Sequence, residues 1–568
     1  MLQTLDDIAR TTPAADGSAT GLLPVLPVET GAMVTRDGTR LDADIYRPAQ
    51  GGPYPVLLMR QAYGRRIACT ICYAHPAWYA AHGYVVVIQD MRGRGTSEGV
   101  FRAGEDDVSD GAETVAWASR LPGTTGDVGM YGFSYQGYNQ LLATIAAGPA
   151  LKALAPAMGP WHPRKTWAFE NGALRLGGTL GWATQVAADC ARHKGDAAAY
   201  AELMTESRSL NTRGAVQARP EYMERHRALS HYHRWLDTPD DDPYWRDISP
   251  AAHVEAIAAK QLPMLFIGGW YDSHLSSVLM AMDDLRCAGN PNLKLVIGPW
   301  THFPWDRKAG AVDFGPDAAS RMDELHIRWF DHWLKGKSNG VMSEAPIRLF
   351  DLGAHAWRDH AEWPRQSITF ALSGTGKAAI DVSDGKLTSE AAAAAGIDYV
   401  VHDPWRPAPA VGGAFGSPPG AIDRTNVDSR GDVATFTTAP LDAPLTLVGD
   451  VAADLYLSSD AVSFDVNCVL SRVTASGQVF QVAEGHCRVT DPDENTPVHI
   501  PMRATCVTLM PGDALRLSIA GASFPAYAIN PGTGDDPTTT PSVKAQVITL
   551  GIRYGDAQQS TLTVGGQG

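Results

Sequence analysis

The chain has 568 residues, 44% hydrophobic and 19% charged, which suits a globular protein of more than one domain. Its formal net charge of −15 argues against nucleic acid and anionic membranes as partners, because both bind through basic patches. Seven scattered cysteines argue against a disulfide framework, and the lone pair Cys69 and Cys72 lacks the second pair that a zinc site needs.

The opening stretch MLQTLDDIARTTPAADGS is acidic and has no apolar core, so it does not read as a secretory signal. No window reaches a transmembrane length, and a cytoplasmic location is expected. MVTRDGTRLDADIYRP, from Met33 to Pro48, alternates like a hairpin turning at Asp-Gly. Apolar runs at Tyr54–Arg60, Tyr84–Gln89 and Val128–Phe133 predict buried strands. Helical patterns at His75–His82 and Asp110–Leu121 separate them, which predicts a parallel sheet covered by helices. From 161 to 255 the chain reads as helices and loops rich in tryptophan and histidine. Strand signals return at PMLFIG (263–268) and LKLVIG (293–298), so a helical insertion interrupts the sheet. Asp317–Lys335 is an amphipathic helix with Gly336 as its C-cap. Beyond 341, short alternating runs such as LTLVGDVAADLYLSS predict an all-β sandwich of jelly-roll type. The expected organisation is α/β-hydrolase domain (1–160), helical cap insertion (161–255), second part of the α/β-hydrolase domain (256–340) and C-terminal β-sandwich (341–568).

DVGMYGFSYQGYNQ, from Asp127 to Gln140, joins a buried strand to a helix with no loop between them. Ser134 therefore sits on a sharp turn, and Gly132 and Gly137 let the backbones pass closely. The pattern departs from G-x-S-x-G: Gln136 stands two places after the serine, and the glycine comes one later. On this stretch alone, an ordinary strand–helix junction with an incidental serine stays open. A nucleophilic serine needs a base and a group to orient that base, in the chain order serine, acid, histidine at strand ends. PMLFIGGWYD ends in Asp272 and LKLVIGPWTH in His302, in that order and context. Together the three predict a catalytic triad.

GFSYQG, GWYD, GPWTH, VVVIQDMRGRGTSEG (85–99) and FPAYAINPGTG (524–534) together resemble the cocaine esterase, X-Pro dipeptidyl peptidase and α-amino acid ester hydrolase family of serine hydrolases. The resemblance covers nearly the whole chain and tolerates the displaced glycine. It implies an oxyanion hole made by the Tyr135 backbone N–H and the Tyr63 hydroxyl in MRQAYG. It also implies an aromatic pocket from Trp167, Trp182 and Phe415, with His274 where the family's esterase branch carries phenylalanine. Core packing is the plain alternative for each pocket residue.

The implied activity is cleavage of small-molecule carboxylic esters through an acyl-enzyme, without metal or organic cofactor. X-Pro dipeptidyl peptidase or β-lactam and amide acylase activity is the alternative. An inactive scaffold with a carbohydrate- or partner-binding sandwich is the alternative from another class. Amine recognition needs a carboxylate cluster, for which Glu170 and Asp240–Asp242 are the candidates. RGRGTSEG lacks the G-K-[ST] of a phosphate loop, and DTPDDDP lacks calcium-loop spacing. His231 and His233 read as a surface helix. Self-association into a homo-oligomer is left open.

Overall fold

The computed structural model describes residues 21–66, 70–210, 217–392 and 394–567. Ten strands build the first sheet: β1 (Glu29–Val34), β2 (Arg40–Tyr46), β3 (Tyr54–Gln61), β4 (Val85–Asp90), β5 (Thr124–Phe133), β6 (Leu151–Ala157), β7 (Met264–Tyr271), β8 (Leu293–Thr301), β9 (Ile347–Asp351) and β10 (Ala356–His360). Their order is β1-β2-β4-β3-β5-β6-β7-β8-β9-β10. From β4 to β9 every neighbouring pair is parallel, and the outer pairs at both edges are antiparallel. The central strands are buried along nearly their whole length, because helices cover both faces. The β1–β2 hairpin turns at Asp37-Gly38, with Gly38 at φ 89°.

Three features differ from the sequence reading. The sheet does not end at 340: β9 and β10 continue it, and β9 pairs in parallel with β8. β6, LKALAPA, carries few β-branched residues and gives little strand signal, yet it lies between β5 and β7. The amphipathic helix is also shorter, Met322–Lys335, and ends at Gly336 in the left-handed conformation.

The insertion is helical, with Leu176–His193, Ala197–Ser209 and Tyr232–Asp237 as main pieces. Eleven strands after β10 form the C-terminal β-sandwich. Its spine, Leu445–Ser459, alternates buried and half-buried residues. It pairs with Val498–Leu509 on one side, and with Ile548–Tyr554 and Thr561–Gln567 on the other. The seam to the first sheet is polar and closely fitted. Buried Asp351, at the end of β9, accepts from the Thr508 N–H at 2.8 Å and the Thr508 hydroxyl at 2.5 Å. No helix among the described residues is long and apolar enough to cross a membrane. Cys69 and the opening stretch, residues 1–18, lie outside the described residues.

Candidate active site

Parallel strands all point their C-terminal ends to one edge, so loops from several strands meet there. Ser134 follows β5 directly, Asp272 follows β7 and His302 follows β8; Tyr63 lies two residues beyond β3. Ser134 has φ 60° and ψ −126°, a strained conformation for a residue with a side chain, and it caps the helix Tyr135–Ala146. Its N–H donates to the Ala157 carbonyl at the end of β6, at 2.9 Å. The displaced glycine has a steric cause. A Cβ at Gly137 would lie 2.5 Å from the Ala157 carbonyl oxygen, so the helix crosses β6 at that position. Gln136 takes its usual place because Gly132, at φ 141°, leaves room for the Gln136 Cβ. The Gln136 amide then donates to the Gln61 side chain.

His302 Nε2 lies 2.9 Å from Ser134 Oγ, and His302 Nδ1 lies 2.6 Å from Asp272 Oδ2. The other oxygen of Asp272 accepts from the His274 N–H at 2.8 Å. Asp272 is fully buried, whereas the His302 side chain keeps 27% of its surface exposed. Burial pushes the Asp272 carboxyl up. The charge and hydrogen bond of His302, with the hydrogen bond from the His274 N–H, outweigh burial and hold it below the usual carboxylate range. This arrangement can pass a proton from a hydroxyl to an imidazole while a buried anion stabilises the imidazolium.

Tyr135 opens its helix, so its N–H has no carbonyl one turn back to donate to. Its phenol points elsewhere, donating to Asp107 at 2.7 Å. The Tyr63 oxygen accepts from the Trp182 indole N–H at 3.0 Å. Burial raises the Tyr63 phenol; Trp182 and the Arg94 charge partly offset this, and the hydroxyl stays protonated and able to donate.

Trp167 and Trp182 pack with ring centroids 4.4 Å apart, and Trp167 lies 5.7 Å from His274, which lies 5.6 Å from His302. Burial pushes the His274 imidazole down to about 3, so it is neutral near pH 7. Phe415, from the sandwich, reaches the same region but sits between two cations, 4.2 Å from the Arg175 guanidinium and 4.5 Å from that of Arg503. Its place between the two guanidinium groups gives it a packing role.

The surface reading of His231 and His233 is overturned. His231 packs 4.4 Å from Trp182 and 4.2 Å from Trp235, and His233 is buried against the Met223 carbonyl. The segment HYHRWL turns both rings inward because the insertion has its own aromatic core. Glu170 is committed elsewhere, accepting from the Tyr527 hydroxyl at 2.7 Å beside Arg175 and Arg503. Asp240 accepts from Arg164 and Asp242 caps a short helix. Sequence reasoning missed Trp235, Arg175 and Arg503; the HYHRWL aromatic density was a usable signal for the first, and the isolated arginines left none. Among the described residues, no group of three or more His, Cys, Asp or Glu is arranged to hold a metal ion.

Residues 37–304 match the family model for X-Pro dipeptidyl-peptidase (S15 family), and residues 339–563 match that for the X-Pro dipeptidyl-peptidase C-terminal non-catalytic domain. The chain is 30% identical to the cocaine esterase of Rhodococcus sp. (strain MB1 Bresler) over 89% of this chain and 93% of that protein. Its fold resembles the crystal structure of an aminopeptidase from the marine sediment archaeon Thaumarchaeota archaeon (TM-score 0.78, 21% identity, 98% of both chains). It also resembles that of an α-amino acid ester hydrolase (TM-score 0.74, 21% identity, 98% of this chain and 100% of that one).

Proposed function

The chain belongs to the cocaine esterase and X-Pro dipeptidyl-peptidase (S15) family of serine hydrolases, and from that premise we propose that it cleaves carboxylic esters through an acyl-enzyme on Ser134. His302 takes the hydroxyl proton as Ser134 Oγ attacks the ester carbonyl. Asp272 holds the imidazole tautomer and stabilises the imidazolium. The Tyr135 N–H and the Tyr63 hydroxyl donate to the oxyanion, and the Trp182 indole occupies the Tyr63 oxygen so that its proton is free to face the oxyanion. His302 then protonates the leaving alcohol, and a water molecule repeats the sequence to release the acid.

The observation that carries this reading is the continuous hydrogen-bonded line from Ser134 Oγ through His302 to Asp272, at 2.9 and 2.6 Å. An ester with an aromatic or compact acyl group is favoured over a peptide for two reasons. The tryptophan and imidazole rings beside His302 offer flat apolar contact. Glu170, the carboxylate suited to a free amine, is already neutralised by Arg175 and Arg503.

The test is turnover of p-nitrophenyl esters beside X-Pro p-nitroanilides, with Ser134→Ala as control. Ester turnover that falls about 10⁶-fold in the control supports the reading. Faster turnover of the anilides moves the protein to the peptidase branch. Absence of labelling by a fluorophosphonate probe rules out an activated Ser134.

A further inference from the structure

The acid turn is held by side chains from outside the sheet. The Asp272 carbonyl accepts from Arg503 Nη1 at 2.9 Å, and the Ser273 carbonyl accepts from Arg503 Nη2 at 3.1 Å and Arg175 Nη2 at 2.9 Å. Backbone bonds in the turn itself are few: the Asp272 N–H donates to the Gly269 carbonyl at 3.0 Å, and the Leu275 N–H reaches the Asp272 carbonyl at 3.3 Å. Arg503 lies on the sandwich strand Val498–Leu509, and Arg175 immediately precedes the insertion helix Leu176–His193. Both are only 4% exposed.

Burying two cations side by side is costly unless each is paired and its donors are used. Here the Phe415 ring separates them, and Glu170 lies 3.9 Å from both. Glu484 lies 3.9 Å from Arg503 and accepts from the Ala414 N–H, just before Phe415. The cluster thus draws on the insertion and the sandwich and ends on two consecutive carbonyls of one turn. A plain bridge between domains needs neither the close parallel donors nor that address.

We propose that Arg503, and with it Arg175, are positioning residues that fix the turn carrying Asp272, so that the C-terminal sandwich sets the geometry of the site. This rests on the reading of Asp272 as the acid that orients His302. A guanidinium bridges two carbonyls with a fixed fork, which an ammonium cannot do. Loss of the fork lets the turn rotate and moves the carboxylate relative to His302, and a displacement near 1 Å costs on the order of 10²-fold in rate.

The experiment compares Arg503→Lys in the parent and in the Asp272→Asn background. Its readouts are kcat and KM for p-nitrophenyl butyrate, the rate of Ser134 phosphonylation by a fluorophosphonate, and the thermal midpoint. The proposal expects Arg503→Lys to lower kcat and the phosphonylation rate about 10- to 100-fold in the parent. KM should move little, and the further loss in Asp272→Asn should be under about threefold. Equal losses in both backgrounds, or a rise in KM at constant kcat, overturn it and leave an interdomain bridge. Should Arg503→Lys not fold, Arg175→Lys, which removes a donor from the Ser273 carbonyl and leaves the Arg503 bond to the Asp272 carbonyl in place, faces the same criterion. If Asp272→Asn itself keeps parental kcat, the triad reading falls and this proposal falls with it.

Discussion

Ser134, Asp272 and His302 each stand one residue beyond the end of a parallel strand, whereas Trp167, Trp182 and Trp235 ride on three separate helical pieces of the insertion and lean on one another. On the strand side the backbone does the placing: hydrogen-bonded neighbours fix where each chain leaves the sheet, and a strained φ aims Ser134. On the insertion side one short ladder, Phe169–Glu170 with Ala173–Leu174, joins the Trp167 and Trp182 pieces, and ring packing and a few polar contacts hold the rest of the geometry. Groups that must meet within a few tenths of an ångström sit where geometry is stiffest. Groups that contact a substrate sit where packing can be varied without disturbing the sheet.

The sharpest test of that division crosses it. Tyr63→Phe keeps the ring and removes the hydroxyl that accepts from Trp182, and kcat is expected to fall about 10²–10³-fold with KM little changed. An unchanged kcat would remove Tyr63 from the oxyanion hole.

Gly137→Ala presses a Cβ onto the Ala157 carbonyl, a backbone atom that cannot swing away. A loss of about 1–3 kcal/mol in denaturant unfolding is expected, with activity reduced alongside. A neutral result would show that the helix can slide, and that strand-side placement is softer than argued.

Trp182→Phe keeps an aromatic surface and removes the N–H given to Tyr63. A fall of about tenfold in kcat is expected in the parent and almost none in Tyr63→Phe, since the indole acts through that hydroxyl. Additive losses would return Trp182 to a pure pocket role.

The smallest effect concerns acid. Burial holds His231, His274 and His326 at about 3. In the unfolded chain each takes up a proton below about 6.5, so the unfolded state binds more protons between those values and stability falls as pH drops through that window. Each contributes a slope of up to about 1.4 kcal/mol per pH unit there. His326→Phe, deep in the strand-side core, should shrink the difference in thermal midpoint between pH 7.5 and 5.0. An unchanged difference would mean that His326 is protonated in the folded protein.

Buried runs such as YVVVIQ and LKLVIG announce strands because a sheet covered on both faces demands apolar, β-branched residues along their length. The order serine, aspartate, histidine at strand ends was legible for the same reason, since strand ends are local features. So was the tight turn at Ser134, carried by Gly132 and Gly137. β6 and β9 were not legible as members of the sheet, because LKALAPA and IRLFD owe their place to neighbours far along the chain. His231 read as surface because Trp182, from another helix, reaches it only after the insertion has folded. The fold class, the family resemblance and the candidate triad were all carried by residue patterns a few positions long. Packing alone lets Arg503 grip the Asp272 turn from 231 residues away and Trp182 donate to Tyr63 across 119. Single hydrogen bonds between distant segments leave no periodicity in the chain; they exist only once packing has brought the two partners together.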